Sequence, residues 1–218
     1  MSSDTSRILT DPFAVKNPLT VQVLGICSAL AVTSQLEPSL IMGLSVTAVI
    51  CVGNVVVSLI RKMIPNKIRI IAEMVVVASL VILVDLVLKA FLPDVSKKLS
   101  VFVGLIITNC IVLGRLEAFA MGNKPVDSFL DGIGNGFAYG FIITIIGAIR
   151  EIFGAGSLTI PGMGKVKLIP ESWYEINGGW YSDNVMMVLP PAAFVILGLL
   201  IWIQREIWGR KHPEMFED

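Results

Sequence analysis

The chain of 218 residues is 55% hydrophobic and only 16% charged, with a mean hydropathy of +0.80. A soluble domain carries about a quarter of its residues charged, and no core of this size buries the excess apolar surface, so lipid must cover it. Seventeen basic and seventeen acidic residues cancel, which removes a net field toward nucleic acid, and one His with three Cys leaves few ligands for a conventional zinc site.

Residues 1–16 are polar and read as a cytoplasmic tail. Six apolar runs follow, near 17–37, 38–60, 68–92, 99–120, 128–153 and 184–208, each long enough to cross about 30 Å of hydrocarbon as a helix. The first run has the outline of a signal peptide, with Arg7 and Lys16 before it and Ala29-Leu30-Ala31 within it. An uncleaved first span has the same outline, and that reading is preferred. Only Glu37-Pro38 separates the first two runs, which requires a tight turn. The one long connection, 154–183, is rich in Gly and Pro and reads as a loop. Trp173, Tyr174, Trp180 and Tyr181 before the last run, with Trp202 and Trp208 toward its end, suit interfacial anchors. Residues 209–218 form a second cytoplasmic tail. With the N-terminus inside, the cytoplasmic segments hold eleven Lys and Arg against six on the other side, which favours both termini in the cytoplasm.

The halves 17–98 and 99–208 resemble each other. Leu24-Gly25-Ile26-Cys27 and Leu36-Glu37 in the first correspond to Ile107-Thr108-Asn109-Cys110 and Leu116-Glu117 in the second. Val52-Gly53-Asn54 corresponds likewise to Ile133-Gly134-Asn135. Three spans per half is an odd number, so the second copy crosses the membrane inverted. The expected architecture is therefore an all-α membrane protein with six transmembrane helices in two inverted-topology repeats of three. Cys27 and Cys110 fall at the middle of the first and fourth runs. The Gly, Ser, Thr and Asn residues around them are poor formers of a plain span and predict that those two helices are interrupted.

Paired cysteines at mid-membrane have two readings, packing or soft-metal ligation. Thiolates bind zinc or iron–sulfur clusters, and a [2Fe–2S] cluster needs four of them, so a partner would supply the other two. Cys51 has no counterpart in the second half and reads as packing. Glu73 and Asp85 lie within the third run, where ionisable groups are costly and often mark ion paths. Asp85 and Lys89, spaced i, i+4, also suit a local ion pair. Glu73 lies one turn from Arg69 and suits the interface. Arg115 and Glu117 read as a solvated helix end. Gly132, Gly136 and Gly140 repeat at the four-residue spacing of close helix packing. There is no dinucleotide fingerprint, P-loop or nucleophile–base set.

The stretch from Ser100 through Val103-Gly104-Leu105 to Thr108-Asn109-Cys110, continuing to Gly114-Arg115-Leu116-Glu117-Ala118-Phe119-Ala120, resembles a specific family. So do the stretch from Val23 to Val32 and Asp131-Gly132-Ile133-Gly134-Asn135-Gly136. They are similar to the D-subunit family of the sodium-translocating NADH:quinone oxidoreductases (Nqr), which has near relatives in the Rnf ferredoxin:NAD oxidoreductases. The likeness spans nearly the whole chain; Leu116 departs from it, standing where Ala is expected. The resemblance implies a bacterial inner-membrane component that pairs with a homologous six-helix subunit of opposite topology in a multisubunit complex. It implies Cys27 and Cys110 as ligands of one [2Fe–2S] cluster shared with that partner. Electrons would cross the membrane and drive sodium outward, while NADH, flavins and quinone bind other subunits. The equivalent subunit of an Rnf ferredoxin:NAD oxidoreductase, an iron-free inverted-repeat transporter and a purely structural subunit remain the alternatives.

Overall fold

The structure is a computed structural model and describes residues 9, 12, 17–91, 104–155, 157–160, 164–167 and 189–209. Most of the tail 1–16, the tail beyond Gly209 and all four aromatic anchors before the last span lie outside the described residues. The helices are α1 (Ile26–Val32), α2 (Leu36–Ile60), α3 (Arg69–Phe91), α4 (Cys110–Arg115), α5 (Pro125–Ala155) and α6 (Pro190–Gly209). Four of them, α2, α3, α5 and α6, are long and apolar enough to cross a membrane. The bounds of α2, α3 and α5 follow the second, third and fifth apolar runs to within three residues, and α6 lies along the sixth.

The first and fourth runs are the broken ones. Residues 17–24 form turns, in which the Leu24 N–H donates to the Pro18 carbonyl, before α1 begins. The break falls where Val23 (φ 57°) and Gly25 (φ 84°) take the left-handed conformation. Any Cβ at Gly25 would meet both that backbone strain and the ring of Tyr139 at 2.9 Å. In the fourth run, residues 104–107 are helical, Thr108 and Asn109 interrupt, and α4 starts at Cys110. The Asn109 side chain caps α4 by accepting the Ile111 N–H at 3.3 Å. After Arg115 the helix widens into a π-turn, Leu116–Ala120.

The centre of the molecule is the crossing of α2 and α5. Ser39, Gly43, Thr47 and Cys51 on α2 face Gly147, Gly140, Gly136 and Gly132 on α5, so the two helices run antiparallel along a seam of small residues. A Cβ on Gly140 would approach Gly43, and one on Gly136 would lie 2.8 Å from the Thr47 backbone. The repeat of three glycines in the sequence thus extends to a fourth, with a matching stripe on α2. Gly136→Leu is expected to lower the thermal midpoint of the detergent-solubilised protein, since overpacking a tight contact costs about 1–3 kcal/mol or more. Gly198→Ala on α6, where a Cβ meets nothing within 4 Å, should leave the midpoint unchanged.

Around this seam α3 and α6 expose most of their apolar side chains, among them Ile71, Ile82 and Leu86 on α3 and Phe194, Val195 and Trp202 on α6. Helices apolar on their outer face belong against lipid or other membrane helices.

The spanning framework is helical throughout, as expected. The connection that reads as a loop, however, contains a two-stranded antiparallel hairpin, β1 (Ser157–Ile160) and β2 (Gly164–Lys167), in which Ser157 pairs with Lys167 and Ile160 with Gly164. Four-residue strands leave too short an alternation to stand out in a sequence.

Candidate functional site

The two interrupted helices meet head to head. The Gly25 N–H donates to Cys110 Sγ at 2.8 Å, across 85 positions of sequence. Cys27 lies in the first turn of α1, two residues past Gly25, and Cys110 begins α4, so both cysteines flank one junction of two helix breaks. Cys27 is exposed at the surface of this chain, and Cys110 is half-buried.

Three polar side chains fasten the junction from below. Ser28 Oγ donates to the Gly25 carbonyl at 2.9 Å, and Asn109 Nδ2 donates to Ser28 Oγ at 3.2 Å. The hydroxyl of Tyr139, a fully buried residue of α5, also bonds Ser28 Oγ. Fully buried Ile111, Val112 and Leu116 line α4 and its π-turn, and Val32 lines α1. This polar knot is therefore set in dry surroundings, where such bonds strengthen.

At its other end α1 is held by α5. Arg150, buried on α5, donates to the Thr33 hydroxyl, to the Leu30 carbonyl at 3.5 Å and to the Leu189 carbonyl at 3.1 Å. The neighbouring Glu151 accepts the Leu36 N–H at 2.8 Å, capping α2 after the tight turn.

Cys51 lies apart from the other two cysteines. It is buried in the seam, where a Cβ on Gly132 would come within 2.9 Å of its Cα. That is a packing position.

The ionisable residues of α3 do not form one site. Asp85 pairs with Lys89 at 2.6 Å, the local i, i+4 pair. Glu73 lies twelve residues earlier, roughly 18 Å away along the helix axis. Glu73 is only 1% exposed, and its Oε1 has no hydrogen-bond partner among the described residues. Arg69, one turn before it, is engaged by Glu117 of the π-turn.

A second polar cluster lies between α2, α4 and α5. Arg115 grips Asp131 with two bonds, Nε to Oδ2 at 3.0 Å and an Nη2 contact to Oδ1. It also lies 5.4 Å above the Phe119 ring. Asn135 Nδ2 donates to Asp131 Oδ1 at 2.9 Å, and Asn54 Nδ2 donates to the Ser128 carbonyl at 2.9 Å. The repeated Gly-Asn dipeptides thus both reach this cluster. Arg115 is not the solvated helix end that its position in the sequence suggests. It stands sixteen residues from its partner, a separation at which no local pattern shows a pair.

Among the described residues no group of three or more His, Cys, Asp and Glu gathers in metal-binding proximity. The cysteines at the junction offer two soft donors. An iron–sulfur centre held there would need thiolates from a second chain.

Comparison with known proteins covers nearly the whole chain. The family model described as "Rnf-Nqr subunit, membrane protein" matches residues 5–201. A relative from Tolumonas auensis, named as the D subunit of the Na(+)-translocating NADH-quinone reductase, is 51% identical over 212 residues, covering 94% of this chain and 92% of its own. One of the same name from Aeromonas hydrophila is 54% identical over 200 residues, covering 92% and 91%. A third, from Shewanella putrefaciens, is 52% identical over 204 residues, covering 94% and 93%.

Proposed function

This chain belongs to the Rnf-Nqr family of membrane subunits, and from that membership we propose that it serves as the D subunit of a sodium-translocating NADH:quinone reductase. In that role Cys27 and Cys110 supply two of the four thiolate ligands of a [2Fe–2S] cluster inside the membrane. The observation that carries the reading is the Gly25 N–H on the Cys110 sulfur, which joins the two helix breaks at the cysteines.

The donor set fits the group. Two thiols flank one junction, one of them exposed where a second subunit can complete the set. A bound cluster supplies one-electron carriage within the membrane. The chain's own residues do the rest. The Gly25 N–H stabilises negative charge on the Cys110 sulfur, and hydrogen bonds to ligating sulfur raise the potential of such a centre. Asn109 fixes where α4 begins, and the buried aliphatic side chains of α4 and its π-turn keep water away.

The completing subunit is a homologue of opposite topology, and this chain itself consists of two inverted repeats of three spans. The antiparallel α2–α5 seam, breaks at matching positions and the meeting of the two half-helices support that architecture. NADH, flavins and quinone bind other subunits, and electron flow through the complex drives sodium export across the bacterial inner membrane. Both termini lie in the cytoplasm, the orientation that the bias of Lys and Arg favours. A green fluorescent protein fused after Asp218 is expected to fluoresce and an alkaline phosphatase fused there to be silent; the reverse pattern rejects the orientation.

The function is tested by assaying iron and acid-labile sulfide, with EPR, in the purified complex and in this chain expressed without its homologous partner. Iron is expected at the membrane subunits of the complex and not in the lone chain. A complex whose only acid-labile sulfide belongs to its NADH-oxidising subunit would overturn the reading.

A further inference from the structure

We propose that Tyr139 is the positioning residue of the cysteine junction: its hydroxyl, acting through Ser28, holds the two half-helices so that the Gly25 N–H stays on the Cys110 sulfur. Counting hydrogens at Ser28 assigns the direction of each bond. Its one O–H donates to the Gly25 carbonyl. Asn109 Nδ2 occupies one lone pair of the oxygen. The other accepts from Tyr139, which must therefore be the donor. All three capacities of the serine are filled, and each partner comes from a different element: the helix break before α1, the break before α4, and α5.

The bonds close into a loop. Tyr139 fixes Ser28, and Ser28 fixes the Gly25 carbonyl. The N–H of the same Gly25 reaches Cys110, and Cys110 follows Asn109, which returns to Ser28. Asn109 Oδ1 accepts the Ile111 N–H, so the residues on both sides of Cys110 are tied. The aromatic ring is the second part of the device. Its Cε2 would stand 2.9 Å from a Cβ on Gly25, so the phenol is a floor directly beneath the break. α5 is the element suited to this task, because its seam with α2 anchors it at the centre of the molecule. Tyr139 touches neither sulfur and takes no part as a ligand. Its influence on a cluster rests on the proposed function; the clamp between the half-helices does not.

Tyr139→Phe isolates the hydroxyl, since the ring and its packing remain. Two measurements read it. In full-length chain with Cys27→Ser and Cys51→Ser, expressed in membranes without the partner, N-ethylmaleimide should alkylate Cys110 roughly fivefold more slowly in the Phe variant, because the sulfur loses the N–H that stabilises its thiolate, the equivalent of one lost hydrogen bond of about 1 kcal/mol. In the assembled complex the iron content should hold, while the EPR line shape changes and the midpoint potential falls as the bond to sulfur loosens. Ser28→Ala reads the same contact from the other side, and combining it with Tyr139→Phe should add nothing. Unchanged alkylation of Cys110 in both single variants overturns the positioning role, whatever the iron content. Slower alkylation with a wild-type complex that holds no intramembrane iron supports the clamp and overturns the cluster reading instead.

Discussion

Cys27→Ser or Cys110→Ser is expected to remove the intramembrane iron of the assembled complex and to stop electron flow to quinone. NADH oxidation with an artificial acceptor should continue. Serine keeps close to the volume of the side chain, so packing at the junction is preserved. What changes is the ligand: a hydroxyl is a hard donor that stays protonated, whereas the soft thiolate is what an iron–sulfur centre takes. Loss of a supporting group around a metal ligand already costs about 10–100-fold, and loss of the ligand itself should exceed that. Cys110→Ser additionally alters the acceptor for the Gly25 N–H. Cys51→Ser is the control, since Cys51 lies in the α2–α5 seam packed against Gly132. A purified complex that keeps its full iron count with Cys27 and Cys110 both replaced would end the ligand assignment and return the chain to the transporter or scaffold readings.

Asp131→Ala should be the most damaging change outside the junction. It leaves the Arg115 guanidinium, 13% exposed, without its carboxylate in the middle of the protein. Removing one partner of a buried pair costs about 3–5 kcal/mol, because the remaining charge has neither water nor counter-ion. Set against a total stability of roughly 5–15 kcal/mol, that is enough to deplete the folded protein. The expected result is loss of this chain, and of the complex with it, from the membrane fraction. Replacing both partners, as Arg115→Met with Asp131→Leu, should restore most of the protein, because no unpaired charge remains. Arg115→Lys should fall between, having lost the two-pronged grip on Asp131. Normal accumulation and melting of Asp131→Ala would show that the pair is not buried as described.

The two clusters differ in how far they are legible in the sequence. The cysteine junction is visible because its signals are local and duplicated: a cysteine at the middle of an apolar run, surrounded by small and polar residues, twice. The Arg115–Asp131 pair is not, because each residue by itself has an ordinary explanation, a helix end for one and a motif position for the other. The burial of Glu73 is hidden for the same reason. Spacing from Arg69 places it in the first turns of α3, and only the packing pairs Arg69 with Glu117 and turns Glu73 into the protein.

By itself the sequence determined that the chain lives in lipid, roughly where its four long helices lie, and that the spans carrying Cys27 and Cys110 are broken. Those properties are sums over neighbouring residues, since transfer into hydrocarbon and helix propensity act residue by residue along a segment. Tertiary structure alone decided how the breaks are joined. That the Gly25 N–H meets a sulfur 85 positions away depends on how closely α2 and α5 approach. That approach is set by the fit of Ser39, Gly43, Thr47 and Cys51 against four glycines. Tyr139 stands beside one of those glycines in the sequence, and only the placement of α5 against α1 turns its hydroxyl onto Ser28. Contacts of this kind form between backbones brought together by packing, and no local pattern of residue types encodes them.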